Sequence, residues 1–208
     1  ILLKANSDKA VNILLASGSF YLRAIQLVED QPEMAFVDLV TAGEILSNYF
    51  DFTDEELHDD SIKKLINEIH SCHQEHDKAV KLIKSRLFQV RRKYSLTLTS
   101  LLNKNFFSKT ESPEKLASLS EDKIDQRIKA SYDLRSLYVH TGLKFGNWIT
   151  ALYHHGHETI VGDPVVKGKA YQKLLKLTPT FGGLERIIRY CLLSFIHKHI
   201  TKIDEILD

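Results

Sequence analysis

Cysteine is scarce in this chain: two in 208 residues, Cys72 and Cys191. That excludes a disulfide framework and fits a reducing cytosol, so the expected location is cytoplasmic. No stretch approaches the roughly 20 apolar residues that a membrane-spanning helix needs. The N-terminus has no basic segment followed by a small-residue cleavage site, so no secretory signal is visible. An excess of one charge is missing too. Lys and Arg number 28 against 27 Asp and Glu, a formal net charge of +1. A domain held on nucleic acid by a broad basic face is far more basic, so any such contact must be local. There is no Gly-rich phosphate loop, no nucleophile elbow and no paired-cysteine zinc motif. Strand character is confined to 159–161 and 165–166.

What is present is helical periodicity. Hydrophobic residues at 43% and charged residues at 26% are globular values, and the length allows one sizeable core. Val11, Leu14, Leu15, Leu22 and Ile25 give an apolar stripe to a helix over 8–29. Pro32 suits the first turn of a second helix, whose stripe of Phe36, Leu39, Val40, Gly43, Leu46 and Phe50 runs to about 50. Residues 51–60 are acidic and turn-like, and a third helical region covers 61–75. Ile83, Leu87, Val90, Tyr94, Leu98 and Leu101 step by 4, 3, 4, 4 and 3, which predicts one helix over 78–104.

After a polar break, Ser118 and Glu121 have capping-box spacing and open a helix over 119–141. Ile124, Ile128, Tyr132, Arg135 and Val139 share its inner face. Residues 143–183 hold six glycines and two prolines and read as a long loop, with a short helix near 169–175. A last helix covers 184–207. The expectation is a single all-α domain over 1–208 with a long loop inserted before the last helix. Because the chain begins at Ile1, it is expected to be the C-terminal part of a longer protein.

The chemistry concentrates in Tyr132-Asp133-Leu134-Arg135-Ser136-Leu137-Tyr138-Val139-His140-Thr141-Gly142. Arg135 is a permanent cation able to hold phosphate through paired hydrogen bonds. His140 is the side-chain type that gives or takes a proton near neutral pH. It falls in the last turn, where the open carbonyls of a helix end attract a cation. Ser136 lies four residues before it, on the same helix face. Arg135 is open to pairing with Glu44 or with Asp133 in a buried network.

This segment resembles the signature of the HEPN superfamily. The pattern of Tyr132, Arg135, Ser136, His140 and Gly142 is similar to its Apea-like branch. The run from Thr180 to Arg189 resembles that branch at the start of its last helix, and 39–44 resembles its second helix, where an acidic residue sits near the motif arginine. Two departures stand out: Gly43 replaces a larger residue, and Thr141 separates His140 from the glycine.

The resemblance implies a HEPN-type helical bundle and a homodimer through the signature helix. Arg135 and His140 of both copies would form one composite site, supported by Ser136, Glu44, Asp133 and Tyr132. The implied activity is that of a metal-independent endoribonuclease, without cofactor, cleaving RNA by 2′-hydroxyl attack. The implied setting is bacterial phage defence or a toxin system, within a longer protein whose other domains are partners. The alternative within the superfamily is a catalytically inactive module for RNA binding or dimerisation.

Two histidine clusters stand apart from this motif. His70, Cys72, His73 and His76 have metal-ligand spacing, but one helix face supplies two ligands where a closed zinc site needs about four. The expectation is therefore a solvated helix and no metal. His154, His155 and His157 flank Gly156 in the long loop. Trp148, Tyr153 and His155 are candidate RNA contacts, by stacking on an unpaired base or by hydrogen bonding; anchoring of the loop to the core is the other reading of the two aromatic residues. Lys81, Lys84, Arg86, Arg91, Arg92 and Lys93 read as a solvated basic face.

Overall fold

A computed structural model of the protein describes residues 3–5, 8–72, 80, 89–150 and 156–202. The longer helices are α1 (Asp8–Leu27), α2 (Pro32–Ser47), α4 (Asp60–Cys72), α5 (Val90–Leu101), α7 (Ile124–Thr141) and α10 (Phe181–His199). Shorter ones are α3 (Asp54–Leu57), α6 (Lys104–Ser108), α8 (Gly146–Ile149) and α9 (Lys169–Leu177). The one sheet among the described residues pairs β1 (Leu3–Ala5) antiparallel to β2 (Ile200–Lys202), with Leu3 opposite Lys202. The core is all-α.

Pro32 opens α2, the helix around which the others gather. Nine of its 16 residues are buried, among them Phe36, Leu39, Val40 and Leu46. It packs on α1, α5, α7 and α10. Tyr94 and Leu98 of α5, Ile128 and Leu134 of α7, and Leu184, Ile188 and Phe195 of α10 complete the same core. At Gly43, α2 leaves no room for a side chain against α5. A Cβ there would lie 2.6 Å from Cε2 of the buried Tyr94 ring and 3.0 Å from Cδ1 of Ile188.

Of the stripe expected to bury α1, Leu14 packs against the core, but three members do not. Leu15, Leu22 and Ile25 are 65%, 61% and 42% exposed. The fully buried residues are Ala10, Ser17 and Ala24, seven apart, flanked by Ile13, Leu14, Phe20, Tyr21 and Leu27 packed on the core. The small side chains of the first three let α1 approach α2 closely enough for Ser17 Oγ to donate to the Ala42 carbonyl at 2.7 Å. Arg23 reaches across to the buried Asp38 in a two-pronged ion pair of 2.5 and 2.6 Å. By length and composition α1 is apolar enough to cross a membrane, contrary to the sequence expectation, because uncharged small residues count toward that total.

Other boundaries shift for local reasons. The region 51–60 holds α3, opened by a capping box between Thr53 and Glu56. Helix α5 is described from Val90 and stops at Leu101, since Leu102 is extended and Asn103 caps the separate α6. The Ser118–Glu121 capping box does not form. Ser118 Oγ donates to the Lys115 carbonyl, and the Leu119 N–H is taken by a carboxylate from the long loop. Helix α7 therefore begins after a single 3-10 turn, Glu121–Lys123. Its inner face is Ile124, Ile128, Ser131 and Leu134, and Val139 lies outside at 54% exposure. Helix α10 starts at Phe181 under a Thr180 cap and gives way to β2 after His199.

The segment after α7 is fastened at several points. Phe145 and Ile149 are buried in the core, and Leu175 of α9 is too. Beyond them, Glu158 is a buried carboxylate surrounded by donors. Its Oε1 accepts from Thr110 Oγ1 at 2.9 Å and from the Glu111 N–H at 2.8 Å, while Oε2 accepts from the Leu119 N–H at 2.7 Å. Nη1 of the buried Arg186 lies 2.9 Å from Oε1, though off the hydrogen-bond direction. Nη2 of Arg186 donates to the carbonyls of Phe106 and Lys109. At the start of α10, a Cβ on Gly183 would sit 2.1 Å from the Glu158 carbonyl oxygen. Only glycine fits there.

Candidate functional site on the α7 helix

Helix α7 carries the run from Tyr132 to Thr141, and its end is set by Gly142. At φ +69° this residue takes the left-handed conformation, and its N–H donates to the Tyr138 carbonyl at 2.7 Å. Thr141, the extra residue before the glycine, turns its hydroxyl back to the Leu137 carbonyl at 2.6 Å. His140 is thus held in the last turn, exposed to solvent. It lies about 7.5 Å along the axis from Arg135, by the rise of an α-helix. Ser136 sits half-buried one turn below His140.

Arg135 is half-buried against α2. Its Nη2 lies 3.1 Å from Glu44 Oε2, and among the described residues Glu44 is its one carboxylate partner. The guanidinium carbon lies 5.9 Å from the Tyr132 ring centroid, and the Tyr132 hydroxyl stands beside the same Glu44 carboxylate. The Tyr94 ring stands 5.7 Å from that of Tyr132, and its hydroxyl lies 3.2 Å from Ser131 Oγ. Gly43 makes this stack fit, since a side chain there would displace Tyr94. A glycine at a position where a larger residue was expected thereby gains a packing reason.

Burial pushes the Glu44 carboxyl above its usual range; the Arg135 charge and the Tyr132 hydroxyl pull it down without reversing the shift. Tyr132 is raised by burial first and by the Glu44 charge second. Arg135 Nε is buried and makes no hydrogen bond. A guanidinium has five N–H donors, so Glu44 leaves capacity for a further anion. Chemically, the site offers an oriented cation backed by an aromatic ring, with an exposed imidazole further along the same helix.

The other sequence candidates are spread more widely. Asp133 faces α5 and forms a two-pronged pair with Arg91 at 2.6 and 2.7 Å, away from Arg135. Arg92 donates to the Glu56 carbonyl at 3.1 Å. Two members of the expected basic face are thus tied to neighbouring elements. Trp148 is half-buried and packed against the core, beside a recess of about 160 Å³ lined with Glu33, Lys144 and Asn147. Tyr153, His154 and His155 lie outside the described residues, as do His73, His76, Lys81, Lys84 and Arg86. His157 is half-buried, and its carbonyl accepts from Thr180 Oγ1 at 2.5 Å. No group of three or more His, Cys, Asp or Glu side chains suited to a metal ion occurs among the described residues.

Sequence reasoning missed Tyr94 as a member of this cluster, because its place in a regular apolar stripe marked it only as core. It also missed the Glu158–Arg186 pair, whose partners are far apart in the chain and carry no local pattern. Comparison of the chain with protein-family models, with curated proteins and with solved structures finds no match in any of the three.

Proposed function

We propose that this chain is a HEPN-type helical domain acting as a metal-independent endoribonuclease in the cytoplasm. The observation that carries this reading is the arrangement on α7. Arg135 is held over Tyr132 by Glu44, while His140 stays exposed in the last turn. The apolar neighbours Val139 and Leu143 are 54% and 43% exposed and bracket that histidine. Apolar side chains left in solvent beside a polar group suit a surface that meets a partner.

In this reading two copies pair through α7. One His140 takes the proton from a ribose 2′-hydroxyl, whose oxygen attacks the adjacent phosphorus. The bond from phosphorus to the 5′-oxygen breaks, and the partner's His140 protonates that oxygen. The two Arg135 side chains stabilise the charge that builds on the phosphate oxygens. The products are a 2′,3′-cyclic phosphate and a 5′-hydroxyl, and every proton is accounted for without a metal. A role in phage defence or a toxin system, alongside further domains, belongs to the same proposal.

A second reading, a catalytically silent module that binds RNA or dimerises, is favoured by one observation. Arg135 already has a carboxylate partner in Glu44, as a structural arginine would. The test that separates the readings is cleavage of a mixed RNA pool by wild type, His140→Ala and Arg135→Ala, with and without EDTA. The proposal expects cyclic-phosphate ends from wild type, no cleavage by either variant, no effect of EDTA, and an unchanged melt for His140→Ala, an exposed truncation. Binding without cleavage by wild type selects the silent module. Activity retained in His140→Ala, or lost to EDTA, overturns the mechanism.

A further inference from the structure

Helix α1 carries two stripes of opposite size. Ala10, Ser17 and Ala24 face α2, while Leu15 and Leu22 stand in solvent on the far side, also seven apart. Between these leucines lie Gly18 and Ser19, and nothing approaches within 4 Å of the space a Gly18 side chain would occupy. With Leu192 and Ile196 of α10 they line an open groove of about 640 Å³. No charged residue occurs between Lys9 and Arg23, and Arg23 is already engaged by Asp38.

We propose that this face docks a second copy of the chain, with α1 crossing the partner's α1 antiparallel about a two-fold axis at Gly18–Ser19. The spacing itself points to a copy as the occupant. Reversal of the helix direction about the midpoint of Gly18 and Ser19 carries Leu15 onto Leu22 and Gly18 onto Ser19. An antiparallel copy therefore sets leucine beside leucine and small residue beside small residue, as a self-complementary two-fold contact requires. Self-pairing of an uncharged strip brings no like charges together. The small pair at the crossing lets the axes approach to about 8 Å.

The strip from Leu15 to Ile25 is about 15 Å long. At a helix width of about 10 Å the strip covers about 150 Å², well below the roughly 800 Å² per partner of a stable interface, so the association is weak and concentration-dependent. This contact lies on a different surface from the one bearing Val139 and Leu143, for α2 meets α1 through Asp38 and Ala42 and meets α7 through Glu44. The inference thus goes beyond the ribonuclease reading and adds a second two-fold contact to the one that reading requires.

The test uses the whole chain with Cys72 replaced by Ser, Cys191 being buried. Under mild oxidation, Ser19→Cys is expected to form a disulfide-linked dimer. Asn12→Cys, about 20 Å from its symmetry mate at the helical rise, is not. Leu22→Glu alters a side chain already in solvent and is duplicated by the symmetry. A tenfold loss per site becomes about a hundredfold weaker association in sedimentation equilibrium. Failure of Ser19→Cys to cross-link, or an unchanged association constant for Leu22→Glu, overturns the proposal. So does flotation of wild type with phosphatidylcholine–phosphatidylserine vesicles without self-association. Val139→Cys reports the α7 pairing separately, so either contact can fail without the other.

Discussion

Replacement of Glu158 by Ala is the sharpest single perturbation of this fold. The side chain is buried, and its loss strands the buried Arg186 charge and the Leu119 and Glu111 N–H groups. Breaking a buried ion pair costs about 3–5 kcal/mol, and each stranded donor adds about 1–3 kcal/mol. Glu111 offers partial relief, since its Oε1 lies 4.0 Å from Arg186 Nε. With that relief the expected loss is at the low end of this sum, about 5 kcal/mol, a large part of the roughly 5–15 kcal/mol that holds a domain together. For a chain of this size that lowers Tm by about 10–20 °C.

Glu158→Gln keeps the shape and one acceptor oxygen but points an amide at the Leu119 N–H, so about 2 kcal/mol is expected. The double variant Glu158→Ala, Arg186→Met removes the stranded charge and should be less destabilised than the sum of its parts by at least about 1 kcal/mol. Urea titration followed by circular dichroism measures all three. A loss below about 1 kcal/mol for Glu158→Ala, or strict additivity in the double variant, would refute the reasoning.

Three further expectations follow from the site and the core. Burial holds the Glu44 carboxyl above its usual range, so the native state binds that proton more tightly than the unfolded chain does. Its contribution is best below about pH 4 and declines as pH rises through the raised value. Glu44→Gln should therefore equal or exceed wild-type stability at pH 7 while losing RNA cleavage, and a urea midpoint below wild type at pH 7 would refute this. Gly43→Ala should destabilise by about 1–3 kcal/mol through the clash with Tyr94, despite alanine's better helix propensity; a higher melting temperature than wild type would show the contact to be soft. Burial pushes the Cys191 thiol well above its ordinary range. In a Cys72→Ser background it should stay inert to a thiol reagent at pH 8 until urea unfolds the chain, and rapid native labelling would contradict its place in the core.

Much of the helical plan was legible because its signals are local. Pro32 marked the start of α2 and Gly142 the end of α7, each by a backbone preference that needs no tertiary partner. The orientation of α1 was not legible, since two stripes with the same period compete. The smaller one is fully buried at the contact with α2, where Ser17 Oγ reaches the Ala42 carbonyl, a fit that hydrophobicity alone does not register. Ser118 had the spacing of a cap, but a carboxylate 39 residues further on claims the neighbouring Leu119 N–H. At the site, Arg135 had two acidic candidates. The pairing with Glu44 depends on where α2 runs, and Asp133 is turned to Arg91 by helical phase.

The cluster around Glu158 has a kinetic consequence as well. Two of its donors come from Thr110 and Leu119, 48 and 39 residues earlier, and Arg186 comes from the last long helix. A junction of three such distant segments closes only after the loops between them have collapsed. Contacts made that late are absent from the folding transition state, so weakening them speeds unfolding and leaves folding almost unchanged. In a chevron plot of Glu158→Gln the unfolding limb alone should move. The pair then acts as a catch that sets how long a folded molecule lasts.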